Sequence, residues 1–189
     1  MEILVNNGLI VRRRGRGSQV VSSKPATALK SVGSCIKRTH PDRVVPVKRV
    51  VSAQIVGAEG TAARELGVEE GRELYRLERI RCSAGVPYYL ETIYLTRDFA
   101  PNALDHDFSS ESLFAAVERM SGREIGRSEM VYTARVAGKK RGGYLECDEH
   151  APVLELDQLV RLADSTPFEW GSVWLPANRC VISNETRRA

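Results

Sequence analysis

The sequence predicts an α+β fold: a mostly antiparallel sheet with helices on a face, preceded by a short basic hairpin. Three observations predict it. Segments 45–56, 73–82, 87–95 and 125–136 alternate apolar and polar residues with period two, the mark of half-buried strands. Segment 109–120 instead carries Leu113, Phe114, Val117 and Met120 at helical spacing and stops at Gly122. Finally, residues 145–156 echo the spacing of residues 66–77, and each stretch leads to a hairpin whose second strand opens near a proline, Pro87 and then Pro167. Two strand, helix, hairpin units side by side make one mixed or antiparallel sheet with helices packed on it.

Taken in order, residues 1–5 read as the end of a helix stopped by Asn6-Asn7-Gly8, residues that tolerate the left-handed conformation. Runs 9–14 and 18–21 are strand-like and join through Gly15-Arg16-Gly17, a tight hairpin with arginine on its tip and flank. So short a helix and one hairpin cannot bury a core, and the segment reads as the tail of a larger domain. Residues 22–43, with Ser22-Ser23-Lys24-Pro25 and His40-Pro41-Asp42, lack periodicity and read as a linker. Beyond it come a valine-rich strand at 45–56 and a short helix at 61–66 with Thr61 as N-cap and Gly67 as stop. Two strands around Ser83-Ala84-Gly85 follow. The expected division is 1–24 for the appended fragment, 25–43 for the linker, 44–183 for the main domain and 184–189 for a tail.

Composition narrows the function. A chain of 189 residues, 42% hydrophobic and 28% charged, suits one globular domain plus an appendage. No apolar run is long enough to cross a bilayer and the N-terminus lacks the pattern of a secretory signal, so a cytoplasmic address without membrane partners is expected. Cys35, Cys82, Cys147 and Cys180 are scattered singly, without the close pairs of a zinc site or a redox dithiol, and no cofactor is expected. Residues 1–24 hold Arg12, Arg13, Arg14, Arg16 and Lys24 against the single acid Glu2, which accounts for the whole net charge of +4. Such segregation marks a polyanion-binding arm on a neutral domain.

At this point the residues carry a family likeness. Leu4 to Val20, read as Leu-Val-Asn-Asn-Gly-Leu-Ile-Val-Arg-Arg-Arg-Gly-Arg-Gly-Ser-Gln-Val, resembles the end of the recognition helix and the wing of GntR-type regulators, with Ser18 where threonine is common. Residues 77–91, Ser112-Leu113-Phe114, residues 151–156 and Pro167-Phe168-Glu169 are similar to the HutC branch, whose C-terminal part is the UTRA effector domain with a chorismate-lyase-like fold. Each motif alone is weak, and their order and spacing make the match specific. The resemblance implies a homodimeric transcription regulator in which a small metabolite bound to the C-terminal domain changes how paired winged helices sit on an operator.

Arg79 and Arg81 stand two apart on a strand, so both side chains leave one face, where two guanidinium forks can clamp a phosphate or carboxylate. The competing reading is a solvated strand face, since Arg76 and Glu78 just before them show that charges abound along this strand. Glu91, on the partner strand, either neutralises the arginines or accepts hydrogen bonds from a ligand. Glu169 follows Pro167 in the echoing hairpin. Ser112 stands near the start of the amphipathic helix, where amides and hydroxyl suit an anion and where capping by Ser109, Ser110 or Ser112 is the simpler role. The resemblance assigns effector contacts to Arg79, Arg81, Glu91, Ser112, Phe114, Glu169 and Ser31. Phe114 matches a position where relatives often carry tyrosine, and loss of that hydroxyl shifts the expected preference toward a less polar effector; Leu175 stands where some relatives have an aromatic hydroxyl, which blurs the ligand assignment. Arg12, Arg13, Arg14 and Arg16, with Gly15 and Gly17 at the tip, are the expected phosphate contacts on DNA. The rival class is an enzyme on the related lyase fold acting on a small carboxylate. Against it, no nucleophile with an adjacent base is visible: His40 and His106 fall in loops and His150 among acids, and Cys147, Asp148 and His150 lack a second ligand cluster for a metal.

Overall fold

The computed structural model describes residues 10–13, 17–20, 26–27, 47–83, 85–179 and 181–182, with side chains for 48–82 and 85–179. Alternating valine-rich and aromatic segments fold as the long strands β4 (Val47–Gly57), β5 (Glu73–Ser83), β6 (Val86–Thr96), β7 (Ile125–Val136), β8 (Pro152–Leu162) and β9 (Pro167–Pro176). They form one sheet in the order β4-β5-β6-β9-β8-β7, antiparallel throughout. Outside it, β1 (Ile10–Arg13) and β2 (Gly17–Val20) pair as the expected hairpin. A further strand, β3 (Ala26–Thr27), lies inside the segment expected to be linker and pairs in parallel with β10 (Val181–Ile182). The predicted helix end at 1–5 and the tip residues Arg14, Gly15 and Arg16 lie outside the described residues.

The internal echo is real in three dimensions. Helices α1 (Gly60–Leu66) and α3 (Gly138–Leu145) each follow an outer strand and precede a hairpin, and the buried pairs Ala58/Ala137 and Leu66/Leu145 bracket them identically. Counting from Pro87 and Pro167, Thr92 and Ser172 are equivalent positions, and they face each other across the β6–β9 junction. A pseudo-two-fold axis therefore passes between them. The helix α1 packs with Leu74, Tyr94 and Trp170, and α3 with Leu90, Val153 and Trp174, so each helix reaches across the axis onto the other unit.

The third helix, α2 (Leu113–Ser121), sits in the connection between the units and covers the opposite face, so the sheet carries helices on both sides. Its apolar stripe Leu113, Ala116 and Val117 meets Tyr75, Leu77, Ile93 and Leu95, the largest core cluster. Burying four such side chains contributes on the order of 6–12 kcal/mol before chain entropy is counted. Helix starts differ from expectation. The helix α2 begins at Leu113 rather than near 109, because Asp107 turns the chain by accepting from the Ser109 amide at 2.9 Å and from the Ser110 hydroxyl at 3.0 Å. Thr61 is not a cap: α1 already starts at Gly60, whose amide is satisfied by the Glu70 carboxylate at 3.0 Å. Gly67 and Gly122 end their helices with φ of 66° and 65°, as Cβ-free residues do readily.

Candidate functional site

Alternation along β5 puts Tyr75, Leu77, Arg79 and Arg81 on the face covered by α2 and the chain before it, and Leu74, Arg76, Glu78 and Ile80 on the other. The arginines are not a solvated face, since Arg79 is 2% and Arg81 4% exposed. Strand register brings Arg79 directly opposite Glu91. The Arg79 Nε donates to Glu91 Oε1, its Nη1 donates to the Phe108 carbonyl at 3.2 Å, and Arg81 Nε lies 3.6 Å from the same Glu91 oxygen. The Arg81 guanidinium also covers the buried Tyr89 ring, 5.2 Å from its centroid.

A third cation completes this face. Lys48 on β4 pairs in register with Arg81, is 9% exposed, and donates from Nζ to the Glu111 carbonyl at 2.5 Å. Burial lowers its pKa to about 8, with Arg79 and Arg81 adding to the effect and Glu91 and Asp107 opposing it. Burial pushes Glu91 upward, yet Arg79 and Arg81 overcome that push and the carboxyl titrates below its ordinary value. Glu169 behaves in the opposite way. Buried at 3% exposure and set near the Glu91 charge, with Arg79 only partly offsetting both, it is raised to about 8. Its Oε2 and the Tyr75 hydroxyl are buried without a hydrogen-bond partner among the described residues. At neutral pH, among the described residues, three buried cations share this face with the buried carboxylate of Glu91, the exposed Asp107 lies near Lys48, and a protonated carboxyl and a phenol stand beside them. Such an arrangement can bind an anion through the cations and read hydroxyls through Glu169 and Tyr75.

Of the residues singled out in the sequence, the structure brings Arg79, Arg81, Glu91 and Glu169 into one buried cluster. Ser112 caps α2, its Oγ accepting from the Ala115 amide at 3.4 Å, directly after the Glu111 carbonyl that holds Lys48. Phe114 is half-buried and meets Phe168 edge-on, with ring centroids 6.4 Å apart. Leu175 packs with Tyr89 and Leu156 beyond the arginines. Ser31 lies outside the described residues, and for Arg12, Arg13 and Gly17 only the strand register is described. Lys48 and Tyr75 are the residues that sequence reasoning missed. Among the described residues no three His, Cys, Asp or Glu side chains gather as a metal site.

The architecture defines a class, an α+β domain of two strand, helix, hairpin units, and the model of the UTRA domain matches residues 43–180. The chain belongs to the UTRA-domain family of GntR-type transcription regulators, in its HutC branch. It is similar to the HTH-type transcriptional repressor NagR of Bacillus subtilis (strain 168), 25% identical over 166 residues that span 88% of this chain and 68% of the repressor. A regulator of solved structure from Escherichia coli CFT073 is 34% identical, covers 70% of this chain and 96% of its own, and superposes with a TM-score of 0.66. PhnF from Mycobacterium smegmatis, 22% identical, covers 98% of this chain and 81% of its own at a TM-score of 0.79, a likeness of fold. Among the described residues no helix is long and apolar enough to cross a membrane.

Proposed function

We propose that residues 44–183 bind a small anionic metabolite, a sugar phosphate or carboxylate, and that its binding alters how a homodimer of the intact regulator holds its operator in the cytoplasm. One observation carries this reading: Lys48, Arg79 and Arg81 are buried on one sheet face around Glu91, the ionised carboxylate that the described residues bury among them. Buried charges are costly unless paired and hydrogen-bonded, so three cations buried together on one face form a surface that an anion can complete. Two guanidinium groups supply the planar forks that match a phosphate or carboxylate, and Lys48 supplies a point charge beside them. Glu169 and Tyr75 offer a donor and an acceptor for hydroxyl groups on the rest of the ligand. In the basic hairpin, Arg12, Arg13, Arg14 and Arg16 hold DNA phosphates, with Gly15 and Gly17 letting the tip approach the backbone.

The test is a thermal-shift series at pH 7 with sugar phosphates and small carboxylates, repeated on Arg81→Met and Lys48→Met. A ligand at about a hundred times its Kd raises stability by about 2.7 kcal/mol, several degrees in a chain of this size. At least one anion is expected to raise the Tm of the wild type and to lose most of that effect in both variants. If no anion shifts the Tm, or the variants respond as the wild type does, the anionic effector is excluded.

A further inference from the structure

The pseudo-two-fold relation exposes a difference between the halves, on the other side of the sheet from the buried cations. In the second unit Arg141, four residues before the terminal Leu145 of α3, lays its guanidinium 3.7 Å from the centre of the Trp174 ring. The matching position in the first unit, four residues before the terminal Leu66 of α1, is Ala62, and the residue matching Trp174 is Tyr94. Where the second unit seats its own arginine, the first has a cavity of about 430 Å3, on the sheet face opposite the Arg79 cluster. Ala62 lines it, together with Glu59, Arg76, Tyr94 and Trp170. Its platform is preformed: Tyr94 and Trp170 stack with centroids 5.6 Å apart and planes 30° apart. The cation already on the wall does not fill it. Arg76 is tied to Glu78 at 3.0 Å, to the Ser52 hydroxyl at 3.0 Å and, through Nε, to the Tyr94 hydroxyl at 3.4 Å, which holds its guanidinium carbon at the outer limit of contact with the Tyr94 ring, 6.0 Å from the centroid.

We propose that this cavity is a second binding site, for a small molecule carrying a flat cation, a guanidinium or amidinium group. The group stacks on Tyr94 and Trp170 as Arg141 does on Trp174, and the Glu59 carboxylate at the rim supplies its counter-charge. Charged planar groups over aromatic faces gain from the ring quadrupole as well as from burial, and the volume is that of a small-molecule pocket.

Benzamidine is the probe and benzamide, its neutral isostere, the control, both measured by calorimetric titration of the full chain. Benzamidine is expected to bind with a Kd of about 1 mM or tighter, and benzamide at least about ten-fold more weakly. Glu59→Gln, at an exposed position that leaves the core intact, is expected to weaken benzamidine roughly five-fold. Ala62→Arg recreates the second unit's arrangement and is expected to abolish binding by occupying the cavity. Saturating inorganic phosphate leaves the benzamidine isotherm unchanged, because the cavity lies across the sheet from the cation cluster. Equal binding of benzamide, no benzamidine heat, or an unaltered Kd in Glu59→Gln would each overturn the proposal.

Discussion

At the scale of single residues, the chemistry of the site turns on one carboxyl that keeps its proton. Glu169 titrates at about 8 in the folded chain and at an ordinary 4.5 when unfolded. Between those values the native state binds more protons than the unfolded one, so stability declines as pH rises from 4.5 to 8 and is level beyond that window. Glu169→Gln keeps the shape and removes the titration. The variant should therefore match the wild type at pH 5 and exceed its Tm by roughly 3–6 °C at pH 8, taking about a third of the full shift as surviving relaxation. Thermal melts across pH 4.5–8.5 check this, and parallel curves for the two proteins would contradict the assignment. Arg79, Arg81 and Glu91 were legible in the sequence because period two and a tight hairpin fix both the shared face and the cross-strand pairing. Lys48 was not, for a physical reason. A bulge between Val50 and Ser52 reverses the parity of β4, so strict alternation back from Ile55 points Lys48 away from the site, whereas the bulged strand turns it inward. Tyr75 was hidden differently, since a tyrosine in an apolar strand gives no sign of whether its hydroxyl will find a partner.

At the scale of elements, the sheet depends on how closely its two hairpins approach at the centre. A Cβ added to Gly171 on β9 would meet the Thr92 carbonyl oxygen at 2.4 Å and the Ile93 Cα at 3.1 Å, both backbone atoms of β6 that cannot swing aside. Gly171→Ala is thus expected to destabilise the chain by about 2–4 kcal/mol, because the β6–β9 ladder must part to admit the methyl group. Gly143→Ala is the control. Nothing lies within 4 Å of its added Cβ, and it sits inside α3, where alanine is expected to gain about 0.5–1 kcal/mol over glycine. Urea titrations of both variants measure the pair, and a neutral Gly171→Ala would mean that the junction is looser than its geometry. Strand existence was readable from alternation, and β7 was expected at the very bounds it has. Helix starts were not, because several serines before α2 could each serve as cap and the Asp107 turn that selects Ser112 depends on side-chain bonds invisible to periodicity. The short β3 was unreadable for a related reason. Two residues carry no period, and their pairing with Val181–Ile182 depends on contacts more than 150 positions away in the chain.

At the scale of the whole molecule, the two units look separable in sequence and are not separable in packing. The largest core cluster takes Tyr75 and Leu77 from β5, Val160 and Leu162 from β8 and Phe168 from β9, then closes them under α2. The second joins Ile80 and Leu90 of one unit to Leu145, Val153 and Trp174 of the other. Neither unit can unfold while leaving the other its core, so unfolding is expected to be one cooperative transition in spite of the internal repeat. The two tryptophans make this measurable. Both lie on β9, but Trp170 belongs to the cluster beneath α1 and Trp174 to the one beneath α3, so each reports on a different helix. In Trp170→Phe the remaining fluorescence follows Trp174, and in Trp174→Phe it follows Trp170. Each single-tryptophan protein should show a urea midpoint by fluorescence that coincides with its own midpoint by far-ultraviolet circular dichroism, with equal slopes. A fluorescence transition that precedes the loss of secondary structure in only one of the two proteins would show that one helix and its hairpin leave first, and that the pseudo-two-fold junction does not bind the halves into a single folding unit.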